Sequence, residues 1–242
     1  KTPGYLKPLT NRKVRQAINY AINKTAIIEL YNGTADTAVN GMPPYMLGYN
    51  DNIKDYPYDP DMARQLRKQA GYPNGFNTTL WGMPVSRPYM DDPTKIGEAI
   101  QSYLAAVNIT IYIYITDWST YLTQTQEGQH PMCLLGWTGD NGDPDNFMNV
   151  LYGANQCRLG TAGNVAFYRN PLVQLLFTAA THTYNLQLRA LFYKVAQHII
   201  HRDAPFVYLA YGNQHLAFRA TVEGFTINPA GHYFFHQVRF EN

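Results

Sequence analysis

The run Ile109-Thr110-Ile111-Tyr112-Ile113-Tyr114-Ile115-Thr116 alternates isoleucine with threonine or tyrosine, the period of two that a pleated strand requires. Its aromatic residues leave open which face is the polar one. Upstream, Asn77 to Val85 reads as another strand. Between the two, residues from about Pro93 to Val107 place Ile96, Ala99, Ile100, Tyr103 and Leu104 on one helical face. Downstream, Asp117 caps a helix through about Thr125, and an apolar strand from Met132 to Trp137 follows. Strand, helix, strand, helix, strand with crossovers of this length predicts parallel neighbours in one sheet, joined right-handedly. The fold class is α/β.

The last of these strands runs into Gly136–Phe147 (GWTGDNGDPDNF), a loop rich in aspartate and glycine. Gly139 and Gly142 let the backbone bend sharply and approach a ligand closely. Pro144 pre-sets a helix to about Tyr152, with Asp143 as its N-cap. On residue types alone, a turn with a solvated acidic face explains such a loop. The EF-hand spacing fails, because Asp143 and Asp145 are followed by Phe147 and no glutamate falls in register.

Elsewhere, Asn11 caps a helix from Arg12 to about Tyr31, stopped by Asn32-Gly33. Thr34 to Tyr58 is long and irregular, and loops of this length inside a domain are packed or functional. Asp59-Pro60 opens a short helix to Ala70. Pro171 to about His182 and Leu186 to about Arg202 form a helical pair. Phe206 to Tyr211, Leu216 to Phe218 and Val222 to Ile227 read as strands.

The totals narrow the function. Of 242 residues, 45% are hydrophobic and 15% charged, which describes a globular chain with a core. The net charge is +2 and the basic residues are scattered, so nucleic acid and anionic membranes are not expected partners. No apolar run approaches the length of a membrane span. Two cysteines make no disulfide framework, and the 20 tyrosines suit cores and binding surfaces alike. The chain opens on Lys1-Thr2-Pro3 without an initiator methionine, so a preceding segment is expected to have been removed.

Ligands of open α/β sheets sit outside the carboxyl ends of the strands. Arg87 follows the strand ending at Val85, and Asp140 follows the one ending near Trp137. In one parallel sheet both emerge on the same rim. An arginine fork suits a carboxylate and an aspartate suits an ammonium, so the pair matches a small zwitterion, unless the two simply neutralise each other or face solvent. Catalysis is not expected: there is no G-x-S-x-G elbow, no H-E-x-x-H, and neither cysteine sits in a nucleophile-like context. A hydrolase using Asp140 and Asp143 lacks a positioned nucleophile. His198 and His201, and His232 and His236, read as surface or core residues rather than metal ligands. No metal or cofactor is expected. The N-x-T sequons at Asn23, Asn32, Asn77 and Asn108 matter only in a eukaryotic secretory pathway.

Three segments, Arg12–Lys24 (RKVRQAINYAINK), Trp81–Tyr89 (WGMPVSRPY) and Gly136–Phe147, resemble in order and spacing the dipeptide-binding proteins of bacterial ABC importers, within the solute-binding proteins of family 5 that take peptides, nickel and haem. The similarity runs from Gly4 to Phe240. The resemblance implies a periplasmic-binding-protein-like lobe with a mostly parallel sheet flanked by helices. It implies a clamshell that closes on a peptide and delivers it to an inner-membrane ABC permease, in the periplasm or anchored by lipid outside the membrane, as a monomer. It assigns the peptide amino group to Asp140 and the carboxylate to Arg87, with Met83, Tyr89, Trp137 and Gly139 as pocket neighbours. Family members are about twice as long, so residues 1–242 are expected to be the C-terminal lobe, with about 213–242 returning toward an absent N-terminal lobe. Some relatives frame the loop after the signature helix with two cysteines. Here Cys157 stands near the first position and Tyr168 at the second, so that disulfide is expected to be absent. A haem or glutathione receptor on the same scaffold, and an interaction module without transport, are the alternatives.

Overall fold

Asparagine and aspartate side chains set where most of the helices begin. The computed structural model describes residues 7–228 and 233–241. It contains α1 (Lys7–Thr10), α2 (Arg12–Ala21), α3 (Lys24–Glu29), β1 (Ala35–Thr37), α4 (Pro60–Gln69), β2 (Phe76–Trp81), α5 (Pro93–Ala105), β3 (Ile109–Tyr114) and α6 (Trp118–Gln126). These are followed by β4 (Met132–Cys133), α7 (Asp145–Tyr152), α8 (Pro171–Thr181), α9 (Leu186–Asp203), β5 (Ala210–Gly212), β6 (Val222–Glu223) and β7 (Arg239–Phe240). Asn11, Asp59, Asp92, Asp117, Asn170 and Asn185 each accept a backbone N–H from the first turn of the helix they precede, satisfying donors that the helix itself cannot.

The same chemistry corrects one expectation. The helix expected from Arg12 to Tyr31 is two helices, because Ile22 and Asn23 are extended and the Asn23 side chain accepts the Ala26 N–H. An asparagine that bonds its own backbone this way ends one helix and starts the next. The N-cap position of α7 falls on Pro144, yet the Asp143 carboxylate still accepts the Asp145 N–H at 2.9 Å.

The central sheet has the order β3-β2-β4, all parallel. β2 and β3 pair along their full length from Phe76↔Ile109 to Trp81↔Tyr114. β4 pairs only through Leu80↔Met132 and Trp81↔Cys133, shorter than the expected Met132–Trp137. On β3 the alternation resolves: Ile109 and Ile111 are buried, while Tyr112 is 60% and Tyr114 41% exposed. The core beneath joins Val14 and Ile18 of α2 to Leu80, Ile96, Ile100 and Leu104.

A second core belongs to α7, α8 and α9, where Phe147, Met148, Tyr152, Val173, Phe177 and Tyr193 pack with Met42 and Met46 of the long irregular segment. α2 ties the two cores together. The Arg15 guanidinium donates to the carbonyls of Leu9, Thr10, Asp203 and Ala204, and Gln16 donates to the Arg202 carbonyl. Asn19 donates to the Phe206 carbonyl. That last bond holds the segment after α9 to a helix instead of a strand, and of the expected strand Phe206–Tyr211 only Ala210 and Tyr211 pair, together with Gly212, antiparallel with β1. Leu216 to Phe218 forms no strand, and Val222 to Ile227 shortens to β6, paired with β7. Both lie in a largely exposed stretch. His232 lies outside the described residues.

Candidate ligand-binding cleft

The carboxyl ends of β2 and β4 are adjacent, and the Leu134 N–H donates to the Trp81 carbonyl just past the last paired residues. Tyr121 of α6 fixes both ends. Its buried hydroxyl lies 2.6 Å from the Leu134 carbonyl oxygen and 3.2 Å from that of Trp81. Burial raises the Tyr121 phenol far above its ordinary range, so it stays a donor. The two loops leave the sheet side by side and touch. A Cβ on Gly136 would fall 2.3 Å from the Tyr89 ring, so only glycine allows this approach.

Both loops line one cavity of about 2150 Å³, together with residues of α2, β1, α7 and the segment 203–214. Arg87, Tyr89, Trp137, Gly139 and Asp140 all stand on its wall. Met83 does not: it is 1% exposed and belongs to the core that packs against the sheet. It is a core residue, not a wall residue.

Arg87 sits in a tight turn in which the backbones of Arg87 and Met90 exchange hydrogen bonds of 3.0 and 2.8 Å. Its guanidinium lies 4.3 Å over the Trp118 ring, and its Nε is buried with no acceptor among the described residues. Asp140 is exposed, and Asn146 of α7 organises it. The Asn146 amide oxygen accepts the Asp140 N–H (2.8 Å) and the Trp137 indole N–H (3.1 Å), while its amide nitrogen donates to the Asp140 carboxylate (3.1 Å). Gly139 has φ +75°, and a Cβ there would meet the Phe147 ring at 2.7 Å. Gly142 has no such constraint, so of the two glycines expected to bend the loop only Gly139 is required by its conformation.

Among the described residues no ion pair joins Arg87 to Asp140. Other charged wall residues are engaged by the protein. Arg15 binds the four carbonyls named above, Asp203 accepts from Tyr168 and Asn170, Asp36 accepts from Asn213 and Glu127 from Gln129. Arg87 and Asp140 are therefore a cation and an anion on touching loops, open to one cavity and not neutralised by each other.

Asp143 has a different task. Arg189 of α9 grips both its oxygens, at 2.8 and 2.7 Å. Burial pushes its carboxyl up, but Arg189 and the Asp145 N–H outweigh that and hold it below the usual range. A carboxylate so bound is an anchor for the loop, and it leaves no Asp140–Asp143 dyad for hydrolysis. His130, also on the wall, is pushed down to about 4 by burial, with Nε2 3.0 Å from the Val165 carbonyl, so it is neutral. Burial pushes the Cys133 thiol up to about 12, away from nucleophilic chemistry. Cys133 and Cys157 are both free, and Cys157 Sγ lies 3.5 Å from the Tyr168 carbonyl. No group of three or more His, Cys, Asp or Glu side chains among the described residues could hold a metal ion, and no described helix is long and apolar enough to cross a membrane.

Trp118, Asn146 and Arg189 were not singled out by the sequence pattern. Asn146 lies within the signature segment, but its role appears only once α7 folds back over the loop.

Comparison with known proteins accords with this architecture. The sequence profile of the bacterial extracellular solute-binding proteins, family 5 (middle region), matches residues 5–157. The chain is 40% identical to the dipeptide-binding protein of Escherichia coli over 98% of its own length and 45% of the relative's. It is 39% identical to heme-binding protein A of Haemophilus influenzae, over 96% of the chain and 42% of the relative. Among solved structures it superposes on a Pseudoalteromonas dipeptide-binding protein in complex with Met-Leu, with a TM-score of 0.86 at 32% identity, covering 98% of this chain and 47% of that one. It also matches a periplasmic binding protein associated with an ABC transporter of Helicobacter pylori, in complex with the peptide STSA, with a TM-score of 0.85 at 36% identity over 99% and 45% of the two chains. The chain thus spans a little under half the length of these relatives. With the profile covering most of its length and relatives at this identity matching nearly all of it, the chain belongs to the bacterial extracellular solute-binding proteins of family 5.

Proposed function

We propose that this chain is the C-terminal lobe of a two-lobed receptor that captures dipeptides for an ABC importer outside the cytoplasmic membrane, and that it is not an enzyme. Arg87 takes the peptide carboxylate and Asp140 the α-ammonium, with Tyr89, Trp137 and Gly139 lining the pocket between them. The observation that carries this reading is the placement of an unneutralised cation and anion on two touching loops of one cavity. The dipeptide-binding relatives support it. The cavity exceeds the roughly 300–1,000 Å³ of ordinary small-ligand pockets, which suits a wall completed by a second lobe. Phe218, Phe234, Phe235 and Phe240 are each more than half exposed, which suits a C-terminal stretch from about 213 that returns to that lobe.

The test is calorimetric titration with alanyl-alanine, its N-acetylated form and its C-terminal amide. Removing either charge leaves a desolvated protein charge without its partner, so each modified peptide is expected to bind more weakly by on the order of 2–5 kcal/mol. Equal binding of all three peptides overturns the reading. The haem-binding relative at 39% identity favours a second reading, a haem receptor on the same scaffold. A shifted Soret band on titration with haem, with no response to peptides, would establish that instead.

A further inference from the structure

We infer that Trp118 is the positioning residue for Arg87: its indole face, in place of a protein carboxylate, holds the guanidinium at the cleft with its charge uncompensated. This rests on the proposed carboxylate site and adds what makes that site selective.

The guanidinium lies 4.3 Å over the Trp118 ring. No carboxylate of the described residues forms an ion pair with it. The nearest acid in sequence to the indole, Asp117, is turned to the Thr120 N–H as the N-cap of α6. The choice of partner has a chemical consequence. A carboxylate would occupy the N–H fork and cancel the charge. An aromatic face attracts the cation through its quadrupole while leaving the in-plane N–H donors free.

The indole is itself held in place. It stacks on the Tyr121 ring at 5.6 Å and 12°. Tyr121 is fully buried and bonded to the ends of β2 and β4. These strand ends launch the loops that carry Arg87 and Asp140. Through Trp118 and Tyr121 the cation is therefore tied to the same strand ends that launch the loop of the anion.

The test compares Trp118→Leu and Trp118→Phe, both apolar but only the second aromatic, in titrations with alanyl-alanine and its C-terminal amide. In the unsubstituted protein the free carboxylate is expected to be preferred. Trp118→Leu is expected to shrink that preference about tenfold by weakening the free peptide more than the amide, and Trp118→Phe to restore most of it. Should Trp118→Leu fail to fold, Trp118→Gln replaces it with the same expectation. Equal weakening of both peptides, or full preference retained without an aromatic ring, overturns the positioning role while the carboxylate site stands. No preference in the unsubstituted protein overturns both.

Discussion

The anchor of the signature loop can be measured without any ligand. Arg189 and Asp143 meet through two charge-assisted hydrogen bonds, with side chains 17% and 43% exposed. Fully exposed pairs contribute about 0.2–1 kcal/mol, and breaking a buried pair costs about 3–5 kcal/mol. Half-burial and bidentate geometry place this one near 2 kcal/mol. Single substitutions misstate it. Asp143→Asn also relieves Asp145, whose carboxyl is raised by burial and then by Asp143. Arg189→Met also removes a bond to the Ala180 carbonyl. The assay is therefore a double-mutant cycle of Asp143→Asn and Arg189→Met, followed by urea or thermal unfolding. The expected coupling is about 2 kcal/mol, or roughly 4–8 °C in Tm for a chain of this size. Because the folded Asp143 carboxyl is held below its ordinary value, its contribution is complete above the unfolded value near pH 4. It is lost as the pH falls through the lower folded value. The coupling should accordingly vanish in acid. A coupling within about 0.5 kcal/mol of zero at neutral pH, or one that persists unchanged at about pH 2, refutes the anchor.

Three further substitutions probe the frame. Tyr121→Phe removes the buried hydroxyl from the Leu134 and Trp81 carbonyls and should destabilise the chain by about 1–3 kcal/mol in urea unfolding; no change would mean these strand ends are held otherwise. Gly139→Ala forces a left-handed alanine against the Phe147 ring and should cost at least about 1–2 kcal/mol. Gly142→Ala, which meets no atom within 4 Å, should be near neutral in the same assay.

The sheet was legible because its signals are local. Ile109–Tyr114 alternates as a strand must, and Asp117 caps α6 three residues before the Thr120 N–H it accepts. Parallel order followed from crossover length, and the rim positions of Arg87 and Asp140 followed from parallel order. What the pattern missed depends on distant partners. β1 and β5 are three-residue strands from opposite ends of the chain, paired with Ala35 opposite Gly212. β1 carries no strand signal of its own, and of β5 only Ala210 and Tyr211 fall within the strand expected from Phe206. The break at Asn23 needed a side-chain hydrogen bond to tip a helical sequence out of the helix. Met83 lies two residues after β2 and was expected in the pocket, but its apolar side chain is buried in the core. Trp118 and Asn146 acquire their roles only when α6 and α7 bring them to Arg87 and Asp140.

The most direct test crosses protein and ligand charges. Asp140→Ala and Arg87→Ala are each titrated with alanyl-alanine, its N-acetylated form and its C-terminal amide. If the assignment holds, the penalty for N-acetylation disappears in Asp140→Ala while that for amidation remains, and Arg87→Ala shows the reverse. Penalties that survive unchanged in both variants would show that neither side chain reads the peptide's charges.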